Sequence, residues 1–276
     1  MTLTLKTYAE SPCVVAEGPR WNAADNTLYW VDVTGGKYCR HRDGTAPDQF
    51  EMIDPGLGKI GALACIGPGR LLLFTAECKV WECAFGETPV LRHTLAGHEG
   101  RRFNDVWIDG DNAFCGVARE PDRPGELWLL RNGVFTCIES ATKGMPNGMG
   151  VSPDGRTLYF VVTDEKRLYA YDYDRATGTL ANRRVLADDF AEPGFPDGMT
   201  VDSADGSLWV AMWDGGRLEH RDAAGRLLET VGFPMKKVTS VEVVGRRIFV
   251  TTGNKESDAE AYFAATKAGS VFELVQ

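Results

Sequence analysis

Two stretches of the chain carry the same pattern around one changeable, oxygen-bearing residue: "MPNGMGVSPDG", residues 145–155, and "FPDGMTVDSADG", residues 195–206. Each reads apolar-Pro-X-Gly-Met, then a short strand-like run, then a turn; X is Asn147 in one copy and Asp197 in the other. Two further segments bring similar side chains: "AEGPRW" with Glu17, and "GRRFND" with Arg102, Asn104 and Asp105. Carboxylates and amide carbonyls are hard oxygen donors, a chemistry that suits Ca²⁺, Mg²⁺ or Mn²⁺ better than a soft metal. Taken singly, each is an ordinary turn residue, because Asn and Asp ahead of Gly stabilise turns with their own side chains. The ligand reading depends on a fold that brings the segments together.

The elements that must do so repeat along the chain. One kind of strand-like segment recurs as "NTLYWVDV" from Asn26, "GRLLLFTA" from Gly69, "DNAFCGVA" from Asp111, "GRTLYFVVT" from Gly155, "GSLWVAMW" from Gly206 and "RRIFVTTG" from Arg246. Most are followed by a turn and another strand, as in "CKVWECAF" and "KRLYAYDYD". A period of roughly 40 to 50 residues with about four strands per unit predicts an all-β, six-bladed β-propeller. A β-sandwich would account for the strands but not for the period. The N-terminal "LTLKTY" is expected to complete the sheet of the C-terminal "SVFELV", closing the ring and protecting an edge. Residues 1–276 thus read as one domain, and "NKESDAEAYFAATKAG" (254–269) as a short helix or loop in the last blade.

In a propeller the innermost strands all start at one end of a central channel, so equivalent residues of different blades converge there. Glu17, Asn104, Asn147 and Asp197 each lie just before an inner-strand candidate, and are expected at that spot as a ligand cluster. Arg102, and Glu120 in "AREPDRPG", are less fixed by the pattern; either also suits a salt bridge at the rim.

Other signals mostly exclude. A net charge of −9 offers no basic face for nucleic acid or an anionic membrane. No apolar stretch reads as a leader or a membrane span, so the expected location is the cytoplasm. The seven cysteines include no C-x-x-C and sit largely in apolar runs, which reads as buried free thiols. "GLGKIG" (56–61) matches a dinucleotide fingerprint, yet it lacks the strand before and the helix after that such a site requires. The histidines 41, 93, 98 and 220 have no metal-like spacing, with His98 alone near a motif, and Asp172 with Asp174 reads as a strand end entering a turn. The chain carries no signal of oligomeric state.

At the four motifs the sequence resembles the SMP-30/gluconolactonase/luciferin-regenerating family of six-bladed propellers. The likeness runs from "AEGPRW" through "RRFND", "PNGMGVSPDG" and "FPDGMTVDSADGSLWVAMW" to "VTSVEVVGRRIFVTT". It implies a divalent cation in the channel held by Glu17, Asn147 and Asp197. It also implies that Asn104 lines the pocket as a ligand or substrate contact, and that Arg102 and Glu120 bind substrate. Two departures stand out: Val106 follows "RFND" where the family commonly has Gly, and "IDGDNAFCG" replaces an Asp-Pro-x-Gly turn. Both concern the loop behind the ligands.

The resemblance points to hydrolysis of a sugar-acid lactone, such as glucono- or xylonolactone, to the open acid. The cation would polarise the carbonyl, and Asp197 would take a proton from water; a hydroxide on the cation attacking directly is the other route. Ca²⁺ fits the oxygen set best, with Mn²⁺, Fe²⁺, Zn²⁺ or Mg²⁺ also accommodated. Alternatives are an organophosphate or aryl-ester hydrolase of the same fold and a non-catalytic calcium-binding propeller. A WD-type interaction platform ranks lowest, since WD blade signatures are missing: the dipeptide occurs once, at Trp213-Asp214, and does not recur from blade to blade.

Overall fold

The computed structural model describes residues 4–275. Its strands form six four-stranded antiparallel sheets, arranged as the blades of a six-bladed β-propeller. Blades 1 to 5 are consecutive in the chain, and their innermost strands are Ala16–Asn22, Ile60–Gly67, Phe103–Asp109, Pro146–Val151 and Phe195–Val201. Blade 6 runs from Lys237–Val244 through Arg247–Gly253 to Val271–Val275, and its fourth strand is Thr4–Ala9 from the N-terminus. That strand pairs antiparallel with the last one, Thr7 opposite Phe272 and Thr4 opposite Val275. The expected ring closure is therefore present, except that Leu3 lies outside the described residues. Tyr8 adds to it by packing edge-on against Phe249 and His41, both at 4.8 Å.

The recurrent sequence segments are the second strand of each blade. Thr27–Asp32 and Asn112–Val117 are buried along their whole length, because each blade is covered on both faces by its neighbours. A strand buried on both faces reads as a continuous apolar run, which is why these segments dominate the sequence pattern. Outermost strands such as Val90–Thr94 and Leu227–Gly232 are mostly exposed and leave little trace. The core lies in layers between blades. Phe74, Phe103 and Val117 fill the layer between blades 2 and 3, and Trp30 and Phe249 belong to the core layer at the closing junction, where Trp21 stacks on Phe249 at 5.6 Å. Each such side chain contributes on the order of 2 kcal/mol by leaving water.

The insertion in blade 6 forms one helix, Ala259–Thr266, capped by Asp258 Oδ1 accepting from the Ala261 N–H at 3.1 Å. "GLGKIG" joins blades 1 and 2 and runs into a strand rather than a helix. At Gly61 a Cβ would stand 2.0 Å from the Phe103 carbonyl oxygen, so crowding between inner strands accounts for that glycine. His98 bonds Glu126 at 2.7 Å and packs against Trp128, and Asp174 accepts from the Ala176 N–H at a turn. All seven cysteines are free. Among the described residues no helix is long and apolar enough to cross a membrane.

Candidate metal and substrate site

Every innermost strand breaks register with its neighbour at the same height: between Glu17 and Arg20, Ile60 and Ala62, Phe103 and Val106, Pro146 and Met149, Pro196 and Met199, and Val238 and Ser240. A bulge of this kind bends the strand and re-aims a side chain. At or beside the break stand Glu17, Asn104, Asn147 and Asp197 in blades 1, 3, 4 and 5, while in blade 6 the residue at the break is Thr239, whose hydroxyl donates to the Ala16 carbonyl at 2.6 Å. The Pro-X-Gly triplets thus lie inside the innermost strands, at the bulge, and not in a turn ahead of them. Their glycines are set by crowding, not by a turn. A Cβ at Gly148 would meet the Met199 nitrogen at 2.2 Å, and one at Gly198 would meet Ser240 Oγ at 2.3 Å. Adjacent inner strands approach so closely around the axis that only glycine fits beside each X.

Glu17, Asn147 and Asp197 are all buried, and they come together. Asn147 Nδ2 donates to Asp197 Oδ1 and, at 2.9 Å, to Thr163 Oγ1. With both donors engaged, Asn147 Oδ1 is left buried with no hydrogen-bond partner among the described residues. Among the described residues Glu17 Oε2 accepts only from the Gly18 N–H, at 3.1 Å. Burial pushes the Glu17 carboxyl well above the ordinary range, and the charges of Asp197 and Asp105 push it further. Burial and Asp105 do the same to Asp197, against the hydrogen bond from Asn147. Two crowded carboxylates and an orphaned amide oxygen are what a hard divalent cation would satisfy together, so the residues fit such an ion. Among the described residues no three His, Cys, Asp or Glu side chains group as a metal site, so this donor set depends on the amide.

Asn104 occupies the equivalent bulge in blade 3 but is already satisfied. Its Nδ2 donates to the Pro146 carbonyl at 2.8 Å, and its Oδ1 accepts from Arg102 NH1 at 2.7 Å. It acts as a brace for Arg102, whose NH1 also reaches the Phe103 carbonyl at 2.9 Å. Burial lowers the Arg102 pKa, while the charges of Glu17, Glu120, Asp105 and Asp197 all favour its protonated form. Glu120 itself sits in the loop after the second strand of blade 3, bridged through its backbone to Arg123, and does not line the cavity. It reaches the site through its field at Arg102. Asp105 stands behind the cluster, with burial raising its carboxyl to about 6 against the pull of Arg20 and Arg102.

The cluster floors a cavity of about 300 Å³, with Arg102 and Asn104 on one side and Val33, Thr163, Trp213 and Lys255 among its walls. None of these four wall residues was singled out from sequence. A signal existed: each stands at or within two residues of the end of its blade's second strand. Second strands run antiparallel to the innermost ones, so their ends meet the same mouth of the channel. Following each recurrent segment to its last residue would have found the wall.

Comparison with known proteins gives the chain a family. The SMP-30/Gluconolactonase/LRE-like region matches residues 15–254. The chain is 32% identical to pentonolactonase XacC of Haloferax volcanii, over 99% of this chain and 94% of that protein. It is 29% identical to regucalcin of Xenopus laevis, over 94% and 90% of the two chains. The structure of a calcium-binding regucalcin from Agrobacterium tumefaciens superposes with a TM-score of 0.88 at 24% identity, covering 99% of this chain and 93% of that one, which speaks to the fold alone. With the matched region covering most of the propeller, the chain belongs to the SMP-30/Gluconolactonase/LRE-like family.

Proposed function

We propose that this protein hydrolyses a sugar-acid lactone to its open-chain acid, using one divalent cation held by Glu17, Asn147 and Asp197. The observation that carries the reading is the buried Asn147 Oδ1, without a hydrogen-bond partner among the described residues, in a cavity that it shares with Glu17 and Asp197, two carboxyls that burial pushes well above their ordinary range. The pentonolactonase relative supports the substrate class. Ca²⁺ is the first choice for an all-oxygen set, with Mn²⁺, Fe²⁺, Zn²⁺ or Mg²⁺ depending on supply. The reading takes residues 1–276 as a single propeller domain acting on a small molecule in the cytoplasm, without nucleic-acid or membrane partners.

When bound, the cation supplies Lewis-acid polarisation of the lactone carbonyl. The protein's own groups do the rest. Asp197 takes a proton from the attacking water as the new C–O bond forms, and returns it to the ring oxygen as the ring C–O bond breaks. The Asn147 amide hydrogen-bonds Asp197 Oδ1 and so fixes which carboxylate oxygen stays available. Arg102, braced by Asn104 and the Phe103 carbonyl, presents its remaining N–H groups to substrate oxygens. Glu120 supports the arginine's charge.

The test is turnover of glucono- and xylonolactone by metal-loaded Asp197→Ala, with elemental analysis of the purified proteins. A loss of roughly 100-fold or more is expected from removing a general base; wild-type turnover in the variant would end the assignment. A second reading, a calcium-binding propeller without catalysis, draws on the regucalcin relatives. It predicts that chelation lowers thermal stability while no lactone, ester or organophosphate is turned over.

A further inference from the structure

Three cationic side chains line the cavity: Arg102, Arg119 and Lys255. Arg119 is committed, since its Nε and NH2 bond both carboxylate oxygens of Asp164 at 3.0 and 2.9 Å. Arg102 belongs to the reacting end of the site. Lys255 is different: it is exposed, and among the described residues no carboxylate lies within ion-pair distance of it. Its ammonium stands 5.9 Å from the ring centre of Trp213, another wall residue. Its two neighbours are held, Asn254 through its backbone and Glu256 through its side chain. The Asn254 N–H donates to the Val14 carbonyl at 2.9 Å, and the neighbouring Glu256 accepts from Lys237 Nζ at 3.2 Å. A lysine between two anchored neighbours, over an aromatic wall, is a placed charge.

Arg102, whose charge Glu120 and Asp105 favour, and Lys255 are the two cations of the lining that, among the described residues, are not ion-paired to a carboxylate, whereas Arg119 is paired with Asp164. A neutral lactone would use only one of them. We propose that Lys255, above Trp213, is a specificity residue for the end of the substrate remote from the lactone carbonyl, and that the preferred substrate carries a free carboxylate there. The class is the monolactone of a sugar diacid, in place of the neutral lactone of a sugar monoacid. This rests on the lactone-hydrolysis reading. The Trp213 face packs the apolar side of the sugar ring, and the ammonium reaches the carboxylate at the cavity mouth, where a charge-assisted hydrogen bond keeps much of its strength.

The experiment compares kcat/KM on two lactones of the same ring, one bearing CH2OH and the other a carboxylate at the remote carbon. Wild type is expected to favour the carboxylate by about tenfold. Lys255→Met should bring the ratio close to one, and Lys255→Arg should keep it. Thermal shifts by the two open-chain acids, one a monocarboxylate and one a dicarboxylate, give a readout without turnover. Ratios and shifts that ignore Lys255, with the neutral lactone still hydrolysed, overturn this inference and leave the hydrolysis reading standing. Shifts that follow Lys255 with neither lactone turned over keep the anion subsite and sink the hydrolysis reading.

Discussion

Asp105 stands behind Glu17 and Asp197 as a third buried carboxylate, and the cost of its charge can be measured by removing it. Burial raises its carboxyl from 3.8 to about 6. A folded-state value above the unfolded one means that the native protein holds the extra proton between those two pH values. Stability from this group is therefore present below pH 4 and lost as pH rises through 6. At about 1.4 kcal/mol per pH unit, carrying the charge at pH 7 costs the fold about 3 kcal/mol. Asp105→Asn keeps the shape and has no proton to lose. In chelator, the variant should match the parent near pH 3.5 and exceed it by about 3 kcal/mol at pH 7, roughly 6 °C in Tm for a chain of this size. The assay is chemical or thermal denaturation of both proteins from pH 3.5 to 7.5, read as variant minus parent, which cancels the groups that do not feel Asp105; Glu17 and Asp197, which its charge raises, change in the same direction. With saturating Ca²⁺ the advantage should shrink, because the Asp105 charge then faces a cation. A difference that stays flat across this range, or that favours the parent at pH 7, would refute the reasoning.

Thr163→Val removes the hydroxyl that orients the Asn147 amide and should weaken cation affinity about 10- to 100-fold by calorimetry, with the fold intact. Gly198→Ala places a Cβ 2.3 Å from Ser240 Oγ; it should lower stability by about 1–3 kcal/mol or more in urea, and wild-type stability would contradict the crowding argument. Adding cation to 100 times its Kd should raise stability by about 2.7 kcal/mol, an effect that Asn147→Leu abolishes. Deleting residues 1–9 leaves the Val271–Val275 strand as an open edge, so the truncated protein should show a lower Tm and aggregate on concentration.

The six-fold repeat and the ring closure were legible in the chain because their cause is local. A strand covered on both faces must be apolar along its length, so "NTLYWVDV" and "GRTLYFVVT" announce themselves. The repeat phase likewise singled out Glu17, Asn104, Asn147 and Asp197 as equivalent positions. What each does was not legible. Asn104 and Asn147 look alike in sequence. Yet Asn104 spends its carbonyl on Arg102, while Asn147 is turned by Thr163 and Asp197 so that its own oxygen stays unpaired. The glycines after X read as turn residues, and only the approach of Met199 and Ser240 from the next blade shows their role. Trp213 and Lys255 join one wall, though 42 residues separate them in the chain. Period and burial are properties of one strand and its faces, which a chain carries in its own pattern. Hydrogen-bond partners, clashes and cavity walls are set between blades, and those exist only once the ring has closed.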